Sequence, residues 1–162
     1  MTTDEALTIL RTDPVARDLL ASANMARLAY TWRDGSPRVV PMWFQWTGAE
    51  LLMGAPPNSP KMKVLGTRPQ VAVSIDGVQW PYQWLTVRGT ATVQVASEPL
   101  PFREYVMMAQ RYLGEAGGEQ FLTALRQTFS AWSRIAIQPQ EVRVLDFQGR
   151  FPGAWSGGSH GT

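Results

Sequence analysis

Met25-Ala26-Arg27-Leu28-Ala29-Tyr30-Thr31-Trp32, then Arg33-Asp34-Gly35-Ser36, then Pro37-Arg38-Val39-Val40-Pro41-Met42-Trp43-Phe44-Gln45-Trp46 is the run that decides the fold. Its two flanks are rich in branched and aromatic residues, and the Asp-Gly pair between them is the kind of turn that closes a hairpin. The reading is a strand over 25–32 paired with a second over 37–46. Working outward, Thr47-Gly48-Ala49-Glu50 turns into a third strand, Leu51-Leu52-Met53-Gly54-Ala55, which stops at Pro56-Pro57 because proline has no N–H for a ladder. Strands are expected over 71–75, over 84–95 and over 142–147.

Helices flank this β-rich centre. Residues 3–23 carry apolar side chains at helical spacing, with Asp13-Pro14 as a cap and first-turn proline, so two short helices are expected. A helical region is expected from 101 to about 133, interrupted at Gly117-Gly118. Closely spaced hairpins with helices at the chain start and in one late insertion make an α+β domain: an antiparallel barrel with peripheral helices. With 162 residues, no repeat and no linker, the chain reads as a single domain over 1–162, ending in a Gly-rich tail over 148–162.

Composition removes several function classes. Cysteine is absent, which excludes disulfides, thiolate metal sites and a cysteine nucleophile. The single histidine, His160, lies in the Gly/Ser tail, so no metal site and no catalytic histidine are expected. A net charge of +2 is too small for a nucleic-acid footprint, and no apolar run is long enough for a spanning helix. No signal-like segment opens the chain, so a cytoplasmic location is the expectation. Motifs of metalloproteases, serine hydrolases and phosphate-loop enzymes are missing too, which leaves the catalytic residues unknown and makes a bound redox cofactor attractive.

Three places hold candidate chemistry. Between Glu50 and Asp76 there is no acid but three cations, Lys61, Lys63 and Arg68. Within that stretch Ser59-Pro60-Lys61-Met62-Lys63 reads as a capped helix start over 61–65, with Asn58 or Ser59 as the cap and Lys61 exposed. Such a start offers free N–H groups and charge to a phosphate; a plain cap with solvated lysines is the alternative. The second place is the strand of Arg38, Val39, Val40, Pro41 and Met42, against which a planar ligand or another chain can lie. The third is the aromatic set: Trp80 and Trp84 flank a loop, while Trp43, Phe44 and Trp46 are expected to form an apolar patch that a homodimer covers.

In order and spacing, Ala26-Arg27-Leu28-Ala29, residues 34–41, Ser59-Pro60-Lys61-Met62-Lys63-Val64-Leu65, residues 68–73 and Val87-Arg88-Gly89-Thr90-Ala91 resemble the pyridoxamine 5'-phosphate oxidase-like, FMN-binding split-barrel superfamily. The resemblance implies a six-stranded antiparallel split β-barrel that forms a two-fold dimer with cofactor clefts between subunits. It implies that Arg38, Val39, Val40, Pro41 and Met42 meet the ring and ribityl parts of FMN. Gly54 and Ala55 would approach its phosphate through the backbone, and Ser59 and Lys61 would ligate it. Two positions depart from the oxidase: Pro60 stands where it has a phosphate-binding Arg, and Trp84 where it has a flavin-contacting Gln. The phosphate grip is then weaker, or Lys63 compensates. The oxidase's Arg-Leu-containing C-terminal motif is also absent, against oxidation of its vitamin substrate. The activity that the resemblance implies is that of an FMN-dependent oxidoreductase acting on a small molecule by hydride transfer at flavin N5. The 8-hydroxy-5-deazaflavin coenzyme is the alternative, and a non-enzymatic flavin, haem or small-molecule carrier the alternative of another class.

Overall fold

A computed structural model describes residues 1–150; the tail beyond, with His160, lies outside the described residues. Two helices open the chain, α1 over Thr3–Thr12 and α2 over Pro14–Ala21. Asp13 serves both, ending the first and capping the second through a 3.0 Å bond from Ala16 N to its carboxylate. Seven strands follow in one antiparallel sheet: β1 (Ala26–Thr31), β2 (Pro37–Met42), β3 (Gln45–Trp46), β4 (Leu51–Ala55), β5 (Gln70–Asp76), β6 (Gln83–Ala96) and β7 (Trp132–Asp146). Their order across the sheet is β2-β1-β5-β6-β7-β4-β3. The sheet is not closed, and with its peripheral helices it is an α+β split barrel, as the resemblance implied.

Alternation fills the barrel. Ala26, Leu28 and Tyr30 of β1, Val71, Val73 and Ile75 of β5, and Leu85 and Val87 of β6 are all buried in one cluster. Residues between them point outward, as a period of two requires. Helix α3 (Arg103–Thr128) covers the other side of β4 and of the first part of β7, where Leu52, Trp132 and Ala136 join Tyr105, Met108, Leu122 and Leu125 in a second cluster.

The structure corrects four boundaries. The expected strand over 37–46 breaks at Trp43 and Phe44, giving β2 and β3 and hence seven strands. The last strand begins at Trp132 rather than at 142, and displaces the end of the expected helix. Pro139 had disguised it. The register explains how a proline fits: Arg88 pairs with Glu141 and Gly89 with Pro139, so Gln140 is an extra residue in a bulge, where a missing N–H is tolerated. The break within α3 falls at Gly114, whose φ of 76° lies in the left-handed region, while Gly117 and Gly118 stay helical. Gly118 is needed for closeness instead, since a Cβ there would meet the backbone of Ala109 at 3.0 Å. Finally, the helix expected over 61–65 is a 3-10 turn over Pro60–Lys63.

Gly89 sits against the bulge so closely that a Cβ would lie 2.2 Å from Gln138 O. Backbone cannot step aside as a side chain can. Gly89→Ala is therefore expected to cost about 1–3 kcal/mol, as overpacking does elsewhere. Urea denaturation against wild type measures it, and an unchanged midpoint contradicts the bulge geometry.

Candidate functional site

Strand β2 is a sheet edge bonded to β1 alone. Register divides its side chains between two faces. Val40 and Met42 stand opposite the buried Leu28 and Ala26, so they face the barrel, and Arg38 stands opposite Tyr30 at its rim. There the Arg38 guanidinium lies over the Trp32 ring at 4.3 Å, and Arg33 approaches the same ring at 5.7 Å. Pro37, Val39 and Pro41 face outward and are exposed, Val39 at 64%. An edge of this kind leaves backbone groups open to a ligand or another chain, except at Pro41, which has no N–H.

The loop after β4 supplies the cations. Pro56-Pro57 ends the strand, Ser59 N donates to Pro56 O at 3.0 Å, and buried Val64 and Leu65 anchor the turn to the barrel. Ser59 occupies the cap position, yet its hydroxyl caps nothing: Oγ is buried and has no hydrogen-bond partner. Lys61 is half-buried rather than exposed as expected, and it enters no hydrogen bond or ion pair among the described residues. Burial pushes its ammonium below the ordinary lysine range. Lys63 is exposed. Arg68 Nη2 donates to Arg33 O at 3.1 Å, tying this loop to the β1–β2 turn.

Fold thus brings Arg68 to Arg33, which shares the Trp32 ring with Arg38, while Lys61 and Lys63 stay on the loop; none of the five is in an ion pair among the described residues. The acid in the turn, Asp34, is engaged by Ser36, whose hydroxyl and N–H donate to it at 2.6 and 2.9 Å. Those bonds hold its carboxyl below the usual range.

Gly54 and Ala55 offer a ligand only backbone. A Cβ on Gly54 would lie 2.3 Å from Tyr105 Cδ2 and 2.6 Å from Trp132 Nε1, and Ala55 is 2% exposed against the core. Trp84 lies on the outward face of β6, with Phe147 5.2 Å away and a groove of about 380 Å³ lined by Ser74, Asp76 and Tyr82 beside it. No hydrogen bond or ion pair among the described residues joins the β2 candidates to Ser59, Lys61 or Trp84. In one chain the candidates therefore fall into three places: barrel rim, loop and outer face.

Two features escaped the sequence reading. Ser133 is fully buried opposite Ala55, and its hydroxyl also lacks a partner. The signal for it was a polar residue in register with Ile135 and Ile137. The outer face of the sheet is the other: Ala29, Ala72, Ser74 and Thr86 lie there on adjoining strands, with Arg27 between Pro41 and Ser74 and with Arg88, Glu141 and Arg143 on the far side. Conversely, Trp43, Phe44 and Trp46 form no exposed patch. Phe44 is fully buried, Trp43 stacks on Tyr112 at 5.1 Å, and Trp46 packs against the core.

Comparison with known proteins adds a family model described as pyridoxamine 5'-phosphate oxidase, which matches residues 12–146. No curated protein matches the chain. Among solved structures, an F420 reductase is 25% identical with a TM-score of 0.62, covering 78% of this chain and 94% of that one. The haem storage protein HutZ from Vibrio cholerae is 16% identical with a TM-score of 0.62, covering 82% and 93%. A pyridoxamine 5'-phosphate oxidase candidate from Listeria innocua is 19% identical with a TM-score of 0.53, covering 88% and 97%. The last two share the fold.

Half-burying a lysine without a counter-charge disfavours its charged form in the fold, so Lys61→Met is expected to raise the melting temperature at pH 7. The sign follows from linkage: the cost is fully present below the lowered folded pKa and disappears as pH rises from there to the unfolded value of about 10.4. Thermal melts of both proteins between pH 7 and 10 should converge with rising pH. A less stable Lys61→Met at pH 7 would instead make the lysine a structural residue.

Proposed function

The chain belongs to the pyridoxamine 5'-phosphate oxidase family, whose model covers residues 12–146, and on that premise we propose that it is an oxidoreductase carrying a phosphate-bearing flavin coenzyme, FMN in the first reading. One observation carries the proposal. Ser59 presents a buried hydroxyl without a partner, and two residues on Lys61 presents a half-buried ammonium without a counter-charge. A phosphate satisfies both at once, through charge-assisted hydrogen bonds of about 1.5–3 kcal/mol. The residues present therefore fit the group.

When bound, the coenzyme supplies hydride transfer at its central ring. The chain's own residues hold and orient it. The backbone of Gly54 and Ala55 would line the phosphate side; a larger side chain at position 54 collides with Tyr105 and Trp132. The edge of β2 from Arg38 to Met42 would flank the ring, with Arg38 steadied by its stack on Trp32. Trp84 offers an aromatic surface in place of an amide, and Lys63 stands by in solvent for the phosphate.

Assembly follows from the division of candidates between faces. Ligand groups on the outer edge of β2 are enclosed only if something covers that face. A second copy of the chain is the proposed cover, resting on Ala29, Ala72, Ser74 and Thr86 with the Arg27–Asp76 and Arg88–Glu141 pairs around them. This face, in place of the interior aromatics of 43–46, is the proposed homodimer interface.

A specific observation favours the deazaflavin coenzyme as a second reading. Arg33, Arg38 and Arg68 add positive charge at the β1–β2 turn with no acid in an ion pair with them among the described residues, which suits a longer anionic tail better than a single phosphate. The 25% identity to an F420 reductase points the same way. A haem carrier draws less support, because the sequence has one histidine and it is His160 in the tail.

Absorbance of the purified protein, then titration with FMN and with the deazaflavin coenzyme, tests the reading. Lys61→Ala is expected to raise the dissociation constant about ten- to a hundredfold, and Ser59→Ala about three- to tenfold. Unchanged affinity in both variants, or no binding of either coenzyme to wild type, removes the phosphate assignment. In sedimentation, wild type should run as a dimer and Ala72→Arg as a folded monomer; a dimer insensitive to Ala72→Arg places the interface elsewhere.

A further inference from the structure

On the helical side of the barrel, α1, α2 and β3 border a groove of about 460 Å³, a size suited to small organic ligands. Ala21 and Trp46 supply its open apolar surface, above the buried Leu10 and Leu20. Arg11, Arg17 and Arg111 supply positive charge, against Asp18 as the acid in the lining. None of these four charged residues is in an ion pair among the described residues.

Arg111 is the unusual member. It is half-buried, with Phe44 and Tyr112 rings 5.0 and 5.1 Å from its guanidinium. Nη1 donates to Gln45 Oε1 at 2.6 Å, Nη2 donates to Phe44 O, and Nε is buried with no partner. Every acceptor it has is neutral. These bonds account for how Arg111 fastens the break between β2 and β3, but they leave its charge uncompensated where solvent is restricted. Arg17 has no side-chain partner among the described residues, and Arg11 uses only Nε, on Gly48 O at 2.7 Å. The outer guanidinium nitrogens of both remain available, and the planar fork suits a carboxylate.

We propose that this groove binds a small organic anion with an apolar body, its carboxylate or sulfonate held by Arg17 and Arg11 in the field of Arg111, its body against Ala21 and Trp46. The site is separate from Ser59 and Lys61. Only Trp43 and Phe44 stand between β3 and Met42, so an occupant would press on the end of the strand that flanks the proposed coenzyme.

The probe is 1-anilinonaphthalene-8-sulfonate, followed by fluorescence and displaced by octanoate, with octanamide as the neutral control. Wild type should show one saturable site per chain, with octanoate competing at least tenfold better than octanamide. Arg17→Gln should weaken binding about three- to tenfold, and Ala21→Trp, which fills the groove from the exposed end of α2, should abolish it, both at unchanged melting temperature. Lys61→Ala should leave it intact, so failure here and failure of the coenzyme assignment are distinguishable. Unsaturable fluorescence, equal competition by octanamide, or binding indifferent to both Arg17→Gln and Ala21→Trp would overturn the proposal.

Discussion

Strand β7 is the constraint on which the rest depends. It is bonded to β6 along its whole length and to β4 over Ser133–Ile137, so it joins the two wings of the open sheet. A strand this long cannot stay flat against its neighbour while the barrel curls. The bulge at Gln140, with Pro139 needing no N–H partner and Gly89 admitting Gln138 O, gives it the bend. The wing of β4 and β3, and with it the Ser59 loop, is carried to its place by that strand.

Helix α3 then decides which surfaces remain for function. Its kink at Gly114 and the close approach at Gly118 let it fold back and bury one side of β4 beneath Tyr105, Met108, Leu122 and Leu125. That cover uses Trp43 and Trp132 internally and forces position 54 to be glycine. The territory left open comprises the β2 edge, the basic turn and loop, and the outward face of β1, β5 and β6. Arg33, Arg38 and Arg68 stand beside the open edge of β2, while Trp43, Phe44 and Trp132 are spent on cohesion.

Several parts were legible in residue order. The Asp-Gly hairpin, the Asp13-Pro14 junction, the proline stop after β4 and the alternation of β5 and β6 are local signals, each needing only neighbours in sequence to act. Ser59 and Lys61 were readable as a candidate pair for the same reason. Less was legible where distant residues intervene: the strand through Pro139 depends on a bulge against Gly89, and continuity through Gly117 and Gly118 depends on Ala109 leaving no room for a side chain.

Sequence by itself determined the α+β class, the barrel's alternating faces and the absence of thiol or barrel-histidine chemistry, because periodicity and composition are properties of the chain alone. Tertiary structure decided which cations stand together, since Arg68 reaches Arg33 only through the folded loop. It also decided that Lys61 is half-buried without a counter-charge, that Ser59 Oγ is an orphan rather than a cap, and that the tryptophans of 43–46 are interior. Burial and pairing are relations between residues far apart in the chain, and only the fold supplies the second partner or withholds it.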